Sequence, residues 1–101
     1  MHNTQIHMKQ FWDLSLDILC IVDFDNRFQD VNPAFEKVLG YAKSEVIGKS
    51  MTIFLHPDDL ISSLAEANLQ LDGHIARHFE NRYRCKDGSY KWLSWNSSPG
   101  N

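Results

Sequence analysis

The stretch that decides the fold of this chain is Phe79-Glu-Asn-Arg-Tyr-Arg-Cys-Lys-Asp-Gly-Ser-Tyr-Lys-Trp-Leu-Ser-Trp-Asn-Ser-Ser-Pro99. Two alternating runs flank Asp87-Gly88, a pair that can take the positive φ angles of a tight hairpin turn. Because successive strand side chains point to opposite faces, the pattern predicts one aromatic, apolar face and one charged face that Trp92 interrupts. An isolated hairpin is barely stable in water, so the rest of the chain has to cover the apolar face.

The composition is that of one small globular domain. The chain has 101 residues, of which 43% are hydrophobic and 23% charged, enough for a single core. Its net charge of −3 argues against nucleic-acid binding, which normally requires a basic surface. No apolar run approaches the ~18 residues of a membrane span, and the N-terminus has no apolar signal-peptide segment. Cys20 and Cys85 are far apart in sequence, which favours buried free thiols and a cytoplasmic location.

In the first half of the chain, the sequence pattern predicts a helix, two strands and a second helix. The first helix covers residues 4–16, and the continuous apolar run over residues 18–24 predicts a strand buried on both faces. A turn at Asp25-Asn26 then leads to a strand over residues 27–31. Asn32-Pro33 supplies an N-cap and a proline for the first helical position, so the next helix begins here. Gly40 ends it.

In the second half of the chain, the sequence pattern predicts mostly helix before the hairpin. Residues 44–48 form one helical turn, and residues 51–55 a short apolar linker. His56-Pro57-Asp58-Asp59 opens the last helix with capping residues, whose two carboxylates lie at an exposed helix start. Helical spacing predicts an apolar stripe of Leu60, Ile61, Leu64, Ala65, Asn68 and Leu69, and Gly73 ends the helix. The predicted fold is therefore α+β, with helices on one face of an antiparallel sheet.

The ordered set of motifs resembles the PAS sensory domain in its common bacterial form. The matching segments are Asp23–Asp25, Val31–Phe35, Leu39–Tyr41, Glu45–Gly48, Phe54–Asp59 and Glu80–Trp92. The resemblance covers residues 14–99, with residues 1–16 as an N-terminal cap helix, residues 17–99 as the core and residues 1–101 as one domain. It implies a five-stranded antiparallel sheet and a helical face that enclose a small pocket.

The chain departs from this family at its C-terminal end. Family members continue past the turn at residues 97–101 into a fifth strand, which lies between the first and the fourth. We expect a truncated domain that lacks this strand, in which a rearrangement or an element from another copy fills the gap. An open, water-filled gap in a monomer would contradict this expectation.

The sequence gives no support to a bound cofactor, a metal or catalysis. Flavin photoreceptors of the family carry a reactive cysteine after the glycine that matches Gly48, and Met51 stands at that position. The longer helix has no histidine to ligate haem, since His74 and His78 lie beyond its end. His56, Asp58 and Asp59 are better explained as capping residues than as metal ligands, and no catalytic arrangement is visible. We therefore expect no enzyme activity.

A small organic ligand is the remaining chemical possibility. The predicted ligand-binding residues are Val22, Phe35, Met51, Phe54, Leu64, Asn81, Tyr83 and Trp95. Cys20 and Leu93 are expected to face inward with them. Asn81 and the Tyr83 hydroxyl are the polar groups able to orient a ligand among apolar walls. The alternative is that these side chains only fill the core.

Two further surfaces are assigned from the pattern. Phe11 and Trp12 are predicted to form a dimer or docking surface, whereas a cap that merely shields the sheet is the alternative. Glu80, Arg82, Arg84 and Lys86 are expected to form a solvated, salt-bridged face.

The resemblance implies the function of a sensory module in a larger signalling protein of the histidine kinase or diguanylate cyclase type. It would couple ligand binding or a dimer rearrangement to an output domain in the same protein. The alternatives are a constitutive interaction or dimerisation domain without ligand, and a small-ligand enzyme on a similar fold. Neither nucleic acid nor membrane insertion is expected.

Overall fold

The computed structural model describes the backbone of residues 4–97 and the side chains of residues 9–96. Its helices and strands follow one another in the order that the sequence predicts, in an α+β arrangement. In chain order they are α1 (Thr4–Leu14), β1 (Cys20–Val22), β2 (Phe28–Val31), α2 (Pro33–Leu39), α3 (Lys43–Val46), α4 (Leu60–Leu71), β3 (Ala76–Arg84) and β4 (Tyr90–Ser97). The expected C-terminal turn lies, apart from Ser97, outside the described residues.

The described chain divides into two compact units between Lys49 and Ser50. In the N-terminal unit β1 and β2 form an antiparallel pair, and in the C-terminal unit β3 and β4 form another. Among the described residues no helix is long and apolar enough to cross a membrane.

The N-terminal unit corrects one prediction about β1. This strand has three residues rather than a run from residue 18 to residue 24, and Ile21 and Val22 are exposed. Within the described residues β2 is the only strand that pairs with β1. Because successive strand residues point to opposite faces, the exposure of both Ile21 and Val22 means that neither face is fully covered, and the expectation of a strand buried on both faces is wrong. The apolar run only shows that either face can be buried, and the elements packed over each face decide whether it is.

The prediction for α2 is confirmed at both ends. The side chain of Asn32 accepts a hydrogen bond from the Phe35 backbone N–H, and Pro33 occupies the first turn. At the other end Gly40 has a φ of 86°, and its N–H donates to the Glu36 carbonyl oxygen. Only glycine adopts such a left-handed conformation at little cost.

The core of the N-terminal unit lies between β2, α2 and α3. Phe28 and Phe35 make an edge-to-face contact with ring centroids 5.4 Å apart, a geometry that aromatic pairs prefer. The fully buried side chains here are Phe28, Val31, Asn32, Phe35, Leu39 and Val46. Asn32 is the one polar member of this group.

In the C-terminal unit, α4 begins through a 3-10 turn over Pro57–Asp59. His56 caps this turn, as expected, because its Nδ1 accepts a hydrogen bond from the Asp58 backbone N–H. The apolar linker is also structured: His56 N–H donates to the Arg82 carbonyl oxygen, and Arg84 N–H donates to the Phe54 carbonyl oxygen. Residues 54–56 therefore lie along the edge of β3.

The hairpin β3–β4 has the predicted alternation and a slightly longer turn. The Cys85 N–H donates to the Ser89 carbonyl oxygen, so three residues rather than two form the loop. Only Gly88 in this loop has a positive φ, of 93°, as in three-residue hairpins with a left-handed glycine. Near its start β3 carries a bulge, at which His78 has a φ of 54°.

Candidate functional site

The inner face of the β3–β4 hairpin combines aromatic and polar side chains. Asn81 and Tyr83 are buried with exposed fractions of 5% and 3%, in agreement with the predicted alternation. Trp95 of β4 lies on the same face and is half-buried. Ser63 of α4 is 3% exposed and lies close enough to Asn81 to form a hydrogen bond.

Two hydrogen bonds and one ring contact link these side chains into a group, which we call the Asn81 cluster: Ser63, Asn81, Tyr83 and Trp95. Asn81 Nδ2 donates to Ser63 Oγ at 3.1 Å, and Trp95 Nε1 donates to Asn81 Oδ1 at 2.7 Å. The rings of Tyr83 and Trp95 are tilted against each other with centroids 5.4 Å apart. Burying an amide without partners costs several kcal/mol, so both ends of the Asn81 amide need the bonds they make here.

Ser63 is a site residue that the sequence reading missed. The predicted stripe of α4 included Ile61 and Leu69, but these side chains are 84% and 50% exposed. Of the predicted stripe only Leu60 and Leu64 are covered; the covered positions of α4 are residues 60, 63, 64, 66, 67 and 70, which also follow helical spacing. Leu60, Leu64 and Ala67 share one face with Ser63, and this pattern could have revealed the correct phase.

The other predicted ligand-binding residues are distributed over both units. In the C-terminal unit, Phe54 is buried, and Met51 and Leu64 are half-buried. In the N-terminal unit, Phe35 is fully buried against Phe28. Val22 is 36% exposed, which contradicts its predicted inward position. Whether any of these residues contacts a ligand remains a prediction.

The outer face of the hairpin contains a strong ion pair that the sequence reading also missed. Asp59 Oδ2 accepts from both the backbone N–H and the Nε of Arg82, and Asp59 Oδ1 accepts from Arg82 Nη2. The Arg82 guanidinium also lies 4.6 Å from the centre of the Trp92 ring, within cation–π range. The hydrogen bonds from Arg82 hold the pKa of Asp59 below its usual range. Asp59, expected at an exposed helix start, is buried because it ties α4 to β3.

The remaining candidate groups are side chains of the metal-ligating types and the two cysteines. No group of three or more His, Cys, Asp or Glu side chains there is placed to hold a metal ion. Both cysteines are free; Cys85 is buried, and burial raises the pKa of the Cys20 thiol to about 12. A thiol with this pKa stays protonated at neutral pH and is a poor nucleophile.

The predicted docking residues on α1 differ in their surroundings. Phe11 is 67% exposed, whereas Trp12 is half-buried and its carbonyl oxygen accepts a hydrogen bond from Asn32 Nδ2. Trp12 also lines an open cleft of about 540 Å³ together with Lys9, Asp13, Asp30, Val31, Pro33, Glu36 and Lys43. Two ion pairs, Lys9–Asp13 and Lys43–Asp30, flank this cleft.

Comparison with known proteins identifies the family. A family model described as the PAS fold matches residues 28–100. The White collar 1 protein of Neurospora crassa is 29% identical over 90 residues, which cover 84% of this chain and 8% of that protein. The sensor histidine kinase TmoS of Ectopseudomonas mendocina is 27% identical over 92 residues, which cover 90% of this chain and 10% of that protein.

A solved structure shows the same fold. It is a domain of the sensory box sensor histidine kinase/response regulator from Geobacter sulfurreducens, with a TM-score of 0.83 at 18% identity. The match covers 94% of this chain and 82% of that one. By contrast, the chain spans only about a tenth of the length of the curated relatives named above.

Proposed function

This chain belongs to the PAS family, and we propose that it is a sensory module that passes a signal to an output domain of a larger protein. The observation that carries the proposal is the alignment with a sensor histidine kinase, which covers 90% of this chain but only 10% of the kinase. We infer that a domain occupying a tenth of such a protein acts on the rest of it rather than performing the kinase chemistry itself. We therefore propose no catalytic activity and no resident flavin, haem or metal for it.

The signal that we propose is a small ligand that contacts the Asn81 cluster, where a buried amide and a serine hydroxyl lie among aromatic rings. Such a mixture of apolar walls and a few polar groups is typical of ligand sites. A ligand that prefers one packing of α4 on the hairpin would shift the population toward that packing.

The alternative function is that of a constitutive dimerisation domain without ligand. This alternative is supported by the Asn81 cluster itself, in which both ends of the Asn81 amide already have hydrogen-bond partners. The exposed ring of Phe11 beside Trp12 supplies the apolar surface for a homodimer, since large exposed aromatic groups mark interaction surfaces. For either function we propose a cytoplasmic location and an output domain of the same protein as the partner.

Native mass spectrometry of freshly purified protein separates these possibilities. A reproducible additional mass on the folded species would support ligand sensing and would give the molecular mass of the ligand. A bare dimer that Phe11→Ala together with Trp12→Ala converts to monomer would support the interaction domain. A bare monomer that acquires no ligand from cell extract and does not change the activity of an attached kinase domain would contradict both.

A further inference from the structure

We propose that the indole of Trp95 occupies the ligand position of the Asn81 cluster, and that the ligand is a neutral, planar nitrogen heterocycle whose N–H replaces the indole N–H. The inference rests on the ligand-sensing form of the proposed function and specifies the chemistry of its ligand. It also makes the release of Trp95 the first consequence of binding.

The contacts of Trp95 are those that a bound aromatic ligand would make. Its Nε1–H donates to Asn81 Oδ1 at 2.7 Å, a short distance for a hydrogen bond between neutral groups. One ring lies against Tyr83 in a tilted arrangement at 5.4 Å, within the range that aromatic pairs favour. Trp95 thus shows that the site accepts an aromatic ring with an N–H donor.

The members of the cluster differ in burial. We call Ser63, Asn81 and Tyr83 the floor of the site, and Trp95 is the group that fills it. Ser63, Asn81 and Tyr83 have exposed fractions of 3%, 5% and 3%, and Asn81 is held by Ser63 on α4. Trp95 is only half-buried. Part of its ring therefore already contacts solvent, whereas the three floor side chains are almost completely covered. The floor keeps its geometry because the Ser63–Asn81 bond does not depend on Trp95.

The same contacts restrict the chemistry of the ligand. Asn81 Oδ1 requires a donor in place of the indole N–H, because a buried carbonyl oxygen without a donor is costly. The four side chains of the cluster carry no charge at neutral pH, so a charged ligand would lose its hydration without a counter-charge. An uncharged ring of about the size of indole, with an N–H at its edge, meets both conditions.

Indole itself is the probe for a competition experiment. Isotope-labelled protein is titrated with unlabelled indole, and the Nε1–H resonance of Trp95 is followed by NMR. In the wild-type chain we expect saturable binding that moves this resonance to the position of a solvent-exposed indole. Trp95→Phe keeps a ring but loses the donor, so indole should bind about fivefold more tightly, the factor of one ordinary hydrogen bond.

Three variants make the outcome decisive. Trp95→Ala, which removes the competitor, should bind indole at least tenfold more tightly than wild type, and adding Asn81→Leu to it should abolish that gain. Trp92→Phe on the opposite face is the matched control and should leave the affinity unchanged. Equal affinities in wild type, Trp95→Phe and Trp95→Ala, or binding indifferent to Asn81, would overturn the proposal.

Failure of this inference is distinguishable from failure of the proposed function. If no variant binds indole while native mass spectrometry finds a different ligand, the ligand class is wrong and sensing stands. If Trp95→Ala binds indole but the Trp95 resonance of wild type never moves, the ring is a permanent part of the core. That result also overturns the proposal. Because Trp95→Phe retains most of the buried ring, it keeps the test valid even if Trp95→Ala does not fold.

Discussion

Replacing Asn32 by aspartate tests how the N-terminal unit is held together. Asn32 is fully buried, and its side chain makes four hydrogen bonds. Oδ1 accepts from the backbone N–H groups of Leu19 and Phe35 at 2.9 and 3.1 Å. Nδ2 donates to the carbonyl oxygens of Asp17 and Trp12 at 2.9 and 3.2 Å. One side chain thus joins α1, the segment before β1 and the start of α2.

The size of the effect follows from these bonds. Each contributes about 1 kcal/mol, and the capping bond to Phe35 is worth about the same, so Asn32→Ala should lower the free energy of unfolding by about 3–4 kcal/mol. Asn32→Asp keeps both accepted bonds but turns the two donated ones into contacts between oxygen atoms. It should cost about 2 kcal/mol or more, although aspartate is as good an N-cap as asparagine.

Urea unfolding followed by circular dichroism measures both variants, with stabilities taken from the midpoints and slopes. If Asn32 were only an N-cap, Asn32→Asp would match wild type within about 0.5 kcal/mol, and this result would refute the reasoning. Asn68→Ala is the matched control, because Asn68 is exposed on α4 and surface substitutions usually change stability by less than about 0.5 kcal/mol.

Three other predictions follow from separate contacts. Because the hydrogen bonds from Arg82 lower the pKa of Asp59 from 3.8, their stabilisation is present above that pH and lost as the pH falls through the lower folded value. The stability difference between wild type and Asp59→Asn should therefore shrink in acid, and a pH-independent difference in urea midpoints would contradict this. Gly40→Ala should cost about 1–2 kcal/mol in the same assay, since φ is 86°; an unchanged midpoint would show that the α2 end relaxes. Phe11→Ala with Trp12→Ala should abolish the proposed dimer, and an unchanged sedimentation profile would exclude these residues as its interface.

The sequence determined the local structure of this protein because its signals are short-range. Asn32-Pro33 and Gly40 define the ends of α2 through steric and hydrogen-bonding preferences that need no distant partner. The alternation around Asp87-Gly88 correctly placed Asn81 and Tyr83 on the buried face. The ordered motifs were also sufficient to identify the PAS family, which the match over residues 28–100 confirms.

Tertiary structure decided which of several compatible partners each residue has. Helical spacing allowed two phases for α4, and packing on the hairpin selected the one that buries Ser63 and leaves Ile61 exposed. Asp59 reads as a capping residue in sequence, yet it pairs with Arg82, a residue 23 positions away. Asn32 reads as a cap, yet it also binds Trp12, Asp17 and Leu19. Such polar pairings depend on the relative placement of distant segments, on which a local pattern carries no information.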